Sequence, residues 1–291
     1  MKTRNIGTRS VSTIGLGGMP LSIEGRPDRD RAVATIHASL DAGVTLIDTA
    51  DAYHLAGHVD GDEVGHNETL IAEALASYAG DTSEVLVATK GGHLRPEPGP
   101  WAQDGSPEHL RAACDASLQR LGVEAIGLYQ FHRPDPAIPY EESVGALRDL
   151  LDAGKIAMAG ISNATVEQIR QAQDVLGGRL ASVQNQYSPA FLSSRAELDL
   201  CDELGIAFLP WSPLGGISRA SELGSSYAPF QQVADTHGVS PQAVTLAWML
   251  ATSPVVIPIP GSSRPETAQD SAAAADLELS AEELATLNGV G

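Results

Sequence analysis

The sequence predicts an α/β fold of the (β/α)8 TIM-barrel type, and three observations carry this prediction. About eight short apolar runs alternate with stretches of helical periodicity, and such alternation indicates a parallel sheet. A repeat of roughly 30–40 residues in a chain of 291 suits the closed barrel. The first run is followed by Gly17-Gly18-Met19-Pro20, which lacks the G-x-G-x-x-G spacing that a doubly wound sheet would normally carry.

The first half of the chain predicts a β-hairpin and four strand–helix units. The hairpin spans residues 4–13 and turns near Gly7-Thr8. The strands are predicted at 14–18, 44–47, 85–89 and 126–131, and the helices at 28–41, 68–78, from Ser106-Pro107 onward, and at 140–153. Apolar residues at helical spacing, stop signals at Gly43 and Gly154, and a serine cap followed by proline support the helices.

The second half predicts four more units and additional C-terminal helices. Strands are predicted at 156–161, 180–184, 206–210 and 255–259. Helices are predicted after Thr165, at 193–204, from Ser240-Pro241, and near 265–275 and 281–288. The pairs Thr165…Gln168 and Ser280…Glu283 have capping-box spacing. Because no linker or low-complexity segment interrupts the pattern, one domain is expected over residues 1–291.

Composition excludes some classes of partner. The formal net charge is −19, and lysine occurs only at positions 2, 90 and 155. So acidic a surface argues against nucleic acid or an anionic membrane as a partner, although an anionic cofactor can still bind in a locally positive pocket. No apolar run approaches the roughly 20 residues that span a bilayer. Two cysteines, Cys114 and Cys201, imply no disulfide framework, and a cytoplasmic protein is expected.

Four side chains are predicted to meet at one edge of the sheet. Asp48, Lys90 and His132 directly follow the second, third and fourth predicted strands, and Tyr53 lies five residues after Asp48. In a barrel, the active site lies at the carboxyl ends of the strands. Structural roles compete with this interpretation, since Asp48 is also a plausible turn or cap residue and an isolated His132 would more often be structural.

These four residue types in this arrangement suit the reduction of a carbonyl group. A free tyrosine has a pKa near ~10, and a nearby lysine cation is expected to lower it. Asp48 would hold Lys90 charged, and Tyr53 would deliver a proton to an oxygen that develops negative charge. His132 would orient that oxygen, while His54 is the adjacent competitor for the role of acid.

Seven stretches resemble motifs of the aldo-keto reductase superfamily, in order along essentially the whole chain. Three contain the residues above: Asp48-Thr49-Ala50-Asp51-Ala52-Tyr53, Ala88-Thr89-Lys90-Gly91-Gly92 and Tyr129-Gln130-Phe131-His132. The others are Gly65-His66-Asn67-Glu68-Thr69-Leu70-Ile71, Gly160-Ile161-Ser162-Asn163, Val183-Gln184-Asn185-Gln186-Tyr187-Ser188 and Trp211-Ser212-Pro213-Leu214-Gly215-Gly216. Each motif is weak alone, and the resemblance rests on their agreement.

The resemblance implies that NADP(H) lies across the mouth of the barrel. It matches Ser162, Asn163 and Gln184 to residues that hydrogen-bond the nicotinamide amide, and Trp211 to the aromatic residue that stacks on the nicotinamide. Buried polar strand ends and a core tryptophan are the structural alternatives. The same resemblance assigns three more residues of this region to the cofactor site: Ser212, Leu214 and Gly216.

The phosphates of the cofactor are expected after the eighth predicted strand. Gly261, Ser262 and Ser263 precede a helix there, and the free N–H groups at a helix start bind phosphate. Arg264 adds a cation for a 2′-phosphate, which favours NADP over NAD. The sequence departs from the superfamily here, because a second basic residue near position 267 and a Glu-Asn pair near 270–271 are common in it and absent from this chain.

Two loops are expected to border the substrate. His54 begins a loop that holds further histidines and acids, but no tight ligand spacing supports a metal site, and none is expected. Trp101 lies in the proline-rich loop after the third predicted strand and is expected to wall the pocket, with surface packing as the alternative.

The sequence therefore predicts an NADPH-dependent oxidoreductase that reduces an aldehyde or ketone. A small-molecule carbonyl compound is the expected substrate, and the oligomeric state stays open. A metal-dependent hydrolase is disfavoured because the first strand carries no His-x-His. A regulatory cofactor-binding protein, like the potassium-channel β-subunits of the same superfamily, is the second candidate. Residues 260–290 also look similar to bacterial pyridoxal reductases, which suggests an aldehyde substrate.

Overall fold

The computed structural model describes residues 1–58, 61, 63–96, 101–216 and 219–289. Residues 290–291 of the expected domain, and part of the loop before Trp101, lie outside the described residues. In the described part, no helix is long and apolar enough to cross a membrane.

Seven parallel strands form the central sheet, and the predicted α/β barrel is confirmed. The strands are β3 (Leu16–Gly17), β4 (Leu46–Asp48), β5 (Leu86–Gly91), β8 (Leu128–Phe131), β9 (Ala159–Ser162), β10 (Leu180–Gln184) and β11 (Ala207–Phe208). Their spatial order follows the chain, from β3 at one edge to β11 at the other. The second, third and fifth strands end one to two residues later than the apolar runs suggested, because their regular pairing continues through Asp48, Lys90-Gly91 and Ser162.

The eighth predicted strand, 255–259, is not a regular strand, although it closes the ring between β11 and β3. It exchanges backbone hydrogen bonds with β11 on one side. On the other side, the N–H groups of Gly15 and Gly17 donate to the carbonyls of Pro258 and Pro260, both at 2.9 Å. Proline has no N–H to return, so half of this ladder is missing. We call residues 255–261 the closing segment. The ring thus joins a segment from the first twenty residues to one from the last forty.

Glycine is required where the closing segment meets β3. A Cβ at Gly17 would stand 2.8 Å from the carbonyl oxygen of Ile259. The close approach of the two backbones therefore depends on the absent side chain.

The N-terminal hairpin closes the bottom of the barrel. Strands β1 (Thr3–Ile6) and β2 (Arg9–Ser12) pair in antiparallel fashion around Gly7, as predicted. Ile6 and Val11 are fully buried, in one apolar cluster with the barrel-lining side chains of the other strands. Apolar side chains therefore fill this end of the barrel, and the predicted site residues lie at the opposite end.

Helices cover the outside of the sheet. They are α1 (Arg29–Asp41), α2 (His66–Ser77), α3 (Pro107–Leu121), α4 (Tyr140–Asp152), α5 (Val166–Val175), α6 (Arg195–Leu204), α7 (Leu223–Ser226), α8 (Ala228–His237), α9 (Pro241–Thr252), α10 (Pro265–Ala273) and α11 (Ala281–Asn288). Both predicted capping boxes are present, at Thr165 and Ser280. The side chains of Ser106 and Ser240 also cap their helices, as the serine-proline pairs indicated.

A small hairpin that the sequence did not predict follows β5. Its strands are β6 (His93–Leu94) and β7 (Ala102–Gln103). Two residues are too few to show an alternating pattern, so periodicity could not reveal it. The hairpin holds His93 and Trp101 over the mouth of the barrel, where their rings stack with centroids 4.5 Å apart.

Candidate active site

The structure brings the four predicted residues together at the carboxyl edge of the sheet. Asp48 is the last residue of β4, Lys90 lies near the end of β5, and His132 follows β8 directly. Because β4 pairs with β5 and β5 with β8, the three side chains are neighbours. Beside them is a cavity of about 630 Å³, whose wall includes Asp48, Tyr53 and His132, with Lys90 buried behind it.

Lys90 is a fully buried cation with three hydrogen-bond acceptors. Its Nζ donates to Asp48 Oδ2 at 2.6 Å, to the carbonyl oxygen of Thr49 at 2.7 Å and to the hydroxyl of Tyr53 at 3.3 Å. Burial lowers the pKa of Lys90, but the charge of Asp48 and the interactions with Tyr53 together outweigh this, and the net pKa lies above its ordinary value. Lys90 is therefore charged, and all three of its donors are used.

Two glutamines fix the second oxygen of Asp48. Its Oδ1 accepts from Gln184 Nε2 at 2.7 Å and from Gln130 Nε2 at 3.3 Å. The resemblance assigned Gln184 to the nicotinamide amide; its amide nitrogen instead donates to Asp48, while the residue still lies on the cavity wall. Sequence reasoning missed Gln130, although it lies two residues before His132 in the same motif.

The pKa of Tyr53 shifts in the direction opposite to the one expected from the sequence. Burial raises the pKa of this phenol, and the charge of Lys90 only partly offsets the rise. The expectation considered the cation but not the removal of the phenol from water, which disfavours the phenolate. Tyr53 is therefore a neutral phenol at neutral pH, with its proton in place.

His132 is a neutral imidazole beside Tyr53. Burial, followed by the charge of Lys90, holds the pKa of His132 well below its ordinary value. Its ring meets the Tyr53 ring edge-on, with centroids 5.7 Å apart, and meets His93 edge-on at 4.7 Å. Burial and the nearby charge of Arg133 lower the pKa of His93 to about 4. Both histidines are therefore uncharged, and a neutral imidazole can donate one hydrogen bond.

The polar residues at the ends of β9 and β10 lie on the cavity wall. Ser162 Oγ donates to the carbonyl of Gln184 at 2.7 Å. Asn163 Nδ2 donates to the carbonyl of His132 and to Ser162 Oγ, both at 3.0 Å. Asn163 is in the left-handed region, with φ 56°, which asparagine tolerates better than most residues. The backbone turn after β9 is thus arranged to present Asn163 to the cavity.

The segment after β11 forms another side of the cavity, with Trp211, Ser212, Leu214 and Gly216 on its wall. Trp211 is partly exposed there, and its Nε1 has no hydrogen-bond partner among the described residues. Ser212 has φ 49°, an uncommon conformation for serine that is a sign of local strain. Strain of this kind occurs where a site needs a particular backbone path.

The residues after the closing segment divide into two groups. Gly261 lies on the cavity wall, whereas the wall, in the described residues, does not include Ser262, Ser263 or Arg264. Ser262 is buried, and its hydroxyl bonds to the hydroxyl of Thr267 and donates to the carbonyl of Arg264 at 2.9 Å. Ser263 is partly buried and Arg264 is exposed, immediately before α10.

Of the two expected substrate residues, Trp101 lies on the wall and His54 does not, within the described part of the chain. His54 is buried, and its Nδ1 lies 2.8 Å from the carbonyl oxygen of Leu55. Burial lowers the pKa of His54. His54, although next to Tyr53 in sequence, is thus engaged with the backbone of its own loop.

The loop after the third predicted strand, which was expected to wall the pocket, also places His93 and Arg95 on the wall beside Trp101, whereas sequence reasoning missed Arg133. The only sequence signal for Arg133 was its position directly after His132. No group of three His, Cys, Asp or Glu residues suited to a metal ion occurs in the ranges that the structure describes.

The arrangement joins a neutral acid, a buried cation and a neutral hydrogen-bond donor at one end of an open cavity. Tyr53 holds a proton, the charge of Lys90 would favour the phenolate that loss of this proton would leave, and His132 can donate a hydrogen bond to a bound oxygen. Such a site is suited to protonate an oxygen that becomes negatively charged.

Three comparisons give relatives of this chain. The model of the aldo/keto reductase family matches residues 13–291. The chain is 37% identical over 262 residues to 6-dehydroglucose reductase from Novosphingobium aromaticivorans, covering 88% of this chain and 83% of that protein. It is 33% identical over 299 residues to pyridoxine 4-dehydrogenase from Escherichia coli, covering 99% and 98%. The fold matches an aldo-keto reductase from Klebsiella pneumoniae in complex with NADPH, with TM-score 0.80, 28% identity and coverage of 99% and 94%.

Proposed function

This chain belongs to the aldo/keto reductase family, and on that premise we propose that it reduces an aldehyde or ketone to an alcohol with NADPH. Tyr53 is the proton donor of this reaction. The observation that carries the proposal is the 3.3 Å hydrogen bond from Lys90 Nζ to the Tyr53 hydroxyl at the wall of the cavity.

Each of these residues has a separate role in carbonyl reduction. NADPH, when bound, supplies the hydride that adds to the carbonyl carbon. The carbonyl oxygen then takes the proton of Tyr53, so that the product is a neutral alcohol. His132, neutral because of its burial, donates a hydrogen bond to the same oxygen and orients it. Lys90, fixed by Asp48 at 2.6 Å, stabilises the charge left on Tyr53 until a proton returns.

The residues along the cavity fit a dinucleotide of this kind. Trp211 offers a partly exposed ring for stacking, and Asn163 and Ser162 offer polar side chains beside it. At the far end, a Cβ at Gly261 would come within 2.8 Å of Pro20, so the wall there is kept narrow and backbone-lined. The first turn of α10 offers free N–H groups to phosphate, and Arg264 offers a cation, which supports NADPH over NADH.

The cellular location is a proposal of the same kind. Cys114 and Cys201 are both buried and unpaired, which fits a reducing compartment, and we propose the cytoplasm.

Oxidation of NADPH in the presence of a panel of aldehydes and ketones tests the proposed function. Absorbance at the nicotinamide band should fall in the presence of at least one carbonyl compound and stay constant without it. A protein that quenched its tryptophan fluorescence with NADPH but turned over no carbonyl compound would instead favour the regulatory alternative.

A further inference from the structure

We propose that the carbonyl substrate carries an anionic group, a carboxylate or a phosphate, and that Arg133 binds it. The inference rests on the proposed carbonyl reduction and names the class of substrate. Four observations carry it: the position of Arg133, its lack of a partner, the neutralisation of its neighbour Arg95, and the chemistry of the wall between them.

Arg133 stands at the substrate end of the cavity. It follows His132 directly after β8 and lies on the cavity wall. In the ring of strands, β8 is fourth and the closing segment is eighth, so the two lie on opposite sides of the barrel. Cofactor phosphates bound near Gly261 would therefore be far from Arg133. Its guanidinium is instead close to His132 and His93, whose pKa values its charge lowers.

Arg133 has no anionic partner in the part of the chain that the structure describes. Its side chain forms no ion pair or hydrogen bond there, and burial lowers its pKa. The nearest acid in sequence, Asp135, accepts from the N–H groups of Gly105 and Ala137 at 2.9 Å and 2.8 Å. Arginine keeps its charge in proteins, so a half-buried and unpaired guanidinium is costly unless a ligand supplies the anion.

Arg95 on the same wall shows the contrasting case. Its guanidinium donates to Glu24 Oε2 at 2.7 Å and to the carbonyl of His54, and it lies over the Trp101 ring, 4.6 Å from the centroid. Arg95 is therefore already paired and fixes the wall. Of these two arginines, only Arg133 lacks an anionic partner among the described residues, so its charge is left for a ligand.

The wall between Arg133 and the reactive end suits a flat substrate. The rings of His93 and Trp101 are stacked there, and His93 is uncharged at neutral pH because its pKa is about 4. The chain as a whole carries a formal charge of −19, so an anion approaching it meets a repulsive field. A local arginine that pairs with both oxygens of a carboxylate overcomes this repulsion and selects the anion.

The test compares three aldehydes of the same ring size, with NADPH as reductant. They are 4-carboxybenzaldehyde, its uncharged methyl ester, and 4-formylphenyl phosphate. We expect the native protein to have a kcat/KM for at least one of the anions that is about 10-fold or more above that of the ester. Comparison of 4-carboxybenzaldehyde with 4-formylphenyl phosphate shows which of the two anions the site prefers.

Variants assign the preference to Arg133. Arg133→Gln should lower the ratio of anion to ester kcat/KM by about 10-fold, mainly through KM of the anion, and Arg133→Lys should fall between the two proteins. Arg31→Gln, which removes an exposed arginine of α1, is the matched control and should keep the native ratio. Circular dichroism and a melting curve check that each variant is folded.

The pH dependence separates Arg133 from His93. A preference due to arginine should be constant between about pH 6 and 8, whereas one due to protonated His93 should appear only near its pKa of about 4. If the ester is reduced and the ratio of anion to ester kcat/KM is near one, the inference is wrong while the proposed function stands. The same holds if Arg133→Gln leaves that ratio unchanged. Turnover of none of the broad panel would remove the proposed function and, with it, the inference.

Discussion

The two sides of the barrel mouth are built in different ways. On the side of β4, β5 and β8, which we call the side-chain side, buried side chains form the site. Lys90 is fully buried and Asp48 nearly so, and their hydrogen bonds are complete before any ligand arrives. On the side of β11 and the closing segment, which we call the backbone side, backbone conformation shapes the site. The features are the positive φ of Ser212, the prolines of the closing segment and the start of α10. Its cation, Arg264, is exposed.

Under the proposed function, the difference predicts that the two sides act in different steps. A buried and paired network fixes the geometry of proton transfer, so changes there should affect turnover more than cofactor binding. An exposed cation beside a helix start contributes affinity, so a change there should affect binding and leave turnover nearly unaltered. Substitutions on each side can break this division or sharpen it.

The largest effect is expected from Tyr53→Phe. The change removes one hydroxyl and keeps the ring that packs edge-on against His132. Loss of a positioned acid should lower kcat for aldehyde reduction by at least ~10²-fold, with NADPH affinity unchanged. Steady-state kinetics and fluorescence quenching measure the two quantities.

His54→Ala is the control for Tyr53→Phe, because His54 is adjacent in sequence but does not lie on the cavity wall in the described residues. It should keep most of the native turnover. If His54→Ala abolished turnover while Tyr53→Phe retained it, the acid would be His54, and the division of labour at this side would have to be redrawn.

The next largest effect is expected from Asp48→Asn. The variant keeps an oxygen for Lys90 Nζ but loses the charge that raises the pKa of Lys90. A less firmly charged Lys90 stabilises the Tyr53 phenolate less well, so kcat should fall about 10-fold or more, while NADPH affinity changes little. Equal losses in kcat and in affinity would mean that the fold, and not the proton transfer, had been damaged.

On the cofactor side, Arg264→Ala should weaken NADPH binding by about 10-fold and leave NADH binding and kcat unchanged. The loss should diminish at high salt, because the guanidinium is exposed. Arg29→Ala, at the exposed start of α1, is the matched control. Tighter or equal binding of NADH by the native protein, unaffected by Arg264→Ala, would contradict the choice of NADPH.

The sequence predicted the side-chain side of the mouth better than the backbone side. Asp48, Lys90 and His132 each end an apolar run, and a polar residue at the end of a buried strand is visible without knowledge of the loops. The route of Gln184 to Asp48 was not visible, because periodicity does not say which side chains cross the barrel interior. The raised pKa of Tyr53 depends on burial, which the motif does not report.

Other differences arose where local patterns are short. The closing segment contains two prolines among its apolar residues. The apolar run predicted a regular strand, but the prolines lack the N–H groups that a regular strand needs. His93 and Trp101 lie on a hairpin with two-residue strands, below the length at which a pattern can be recognised. The sequence therefore did not show which of His54 and His93 lies on the cavity wall. Of these two, only His93 does so in the described chain.

The last prediction concerns stability and not activity, because burial of the side-chain side makes the free energy of unfolding depend on pH. Asp51 lies between Asp48 and Tyr53; it is buried, and its Oδ1 has no hydrogen-bond partner among the described residues. Burial, together with the charge of Glu68, raises the pKa of Asp51 from 3.8 to about 8. The folded protein thus holds a proton that the unfolded chain has already lost in this range. Unfolding releases it, so the free energy of unfolding should fall with rising pH, by up to about 1.4 kcal/mol per unit between the two pKa values.

Asp51→Asn tests this origin of the pH dependence, because asparagine resembles the protonated acid in shape and cannot ionise. Between pH 5 and 8, its free energy of unfolding in urea should vary less with pH than that of the native protein, with the larger gain in stability at pH 8. The matched control, Asp30→Asn at an exposed position of α1, should follow the native profile. An Asp51→Asn profile parallel to the native one would mean that Asp51 is ionised in the folded protein. The side-chain side would then bear a buried charge that Arg120, paired with Glu68 at 2.6 Å, must help to balance.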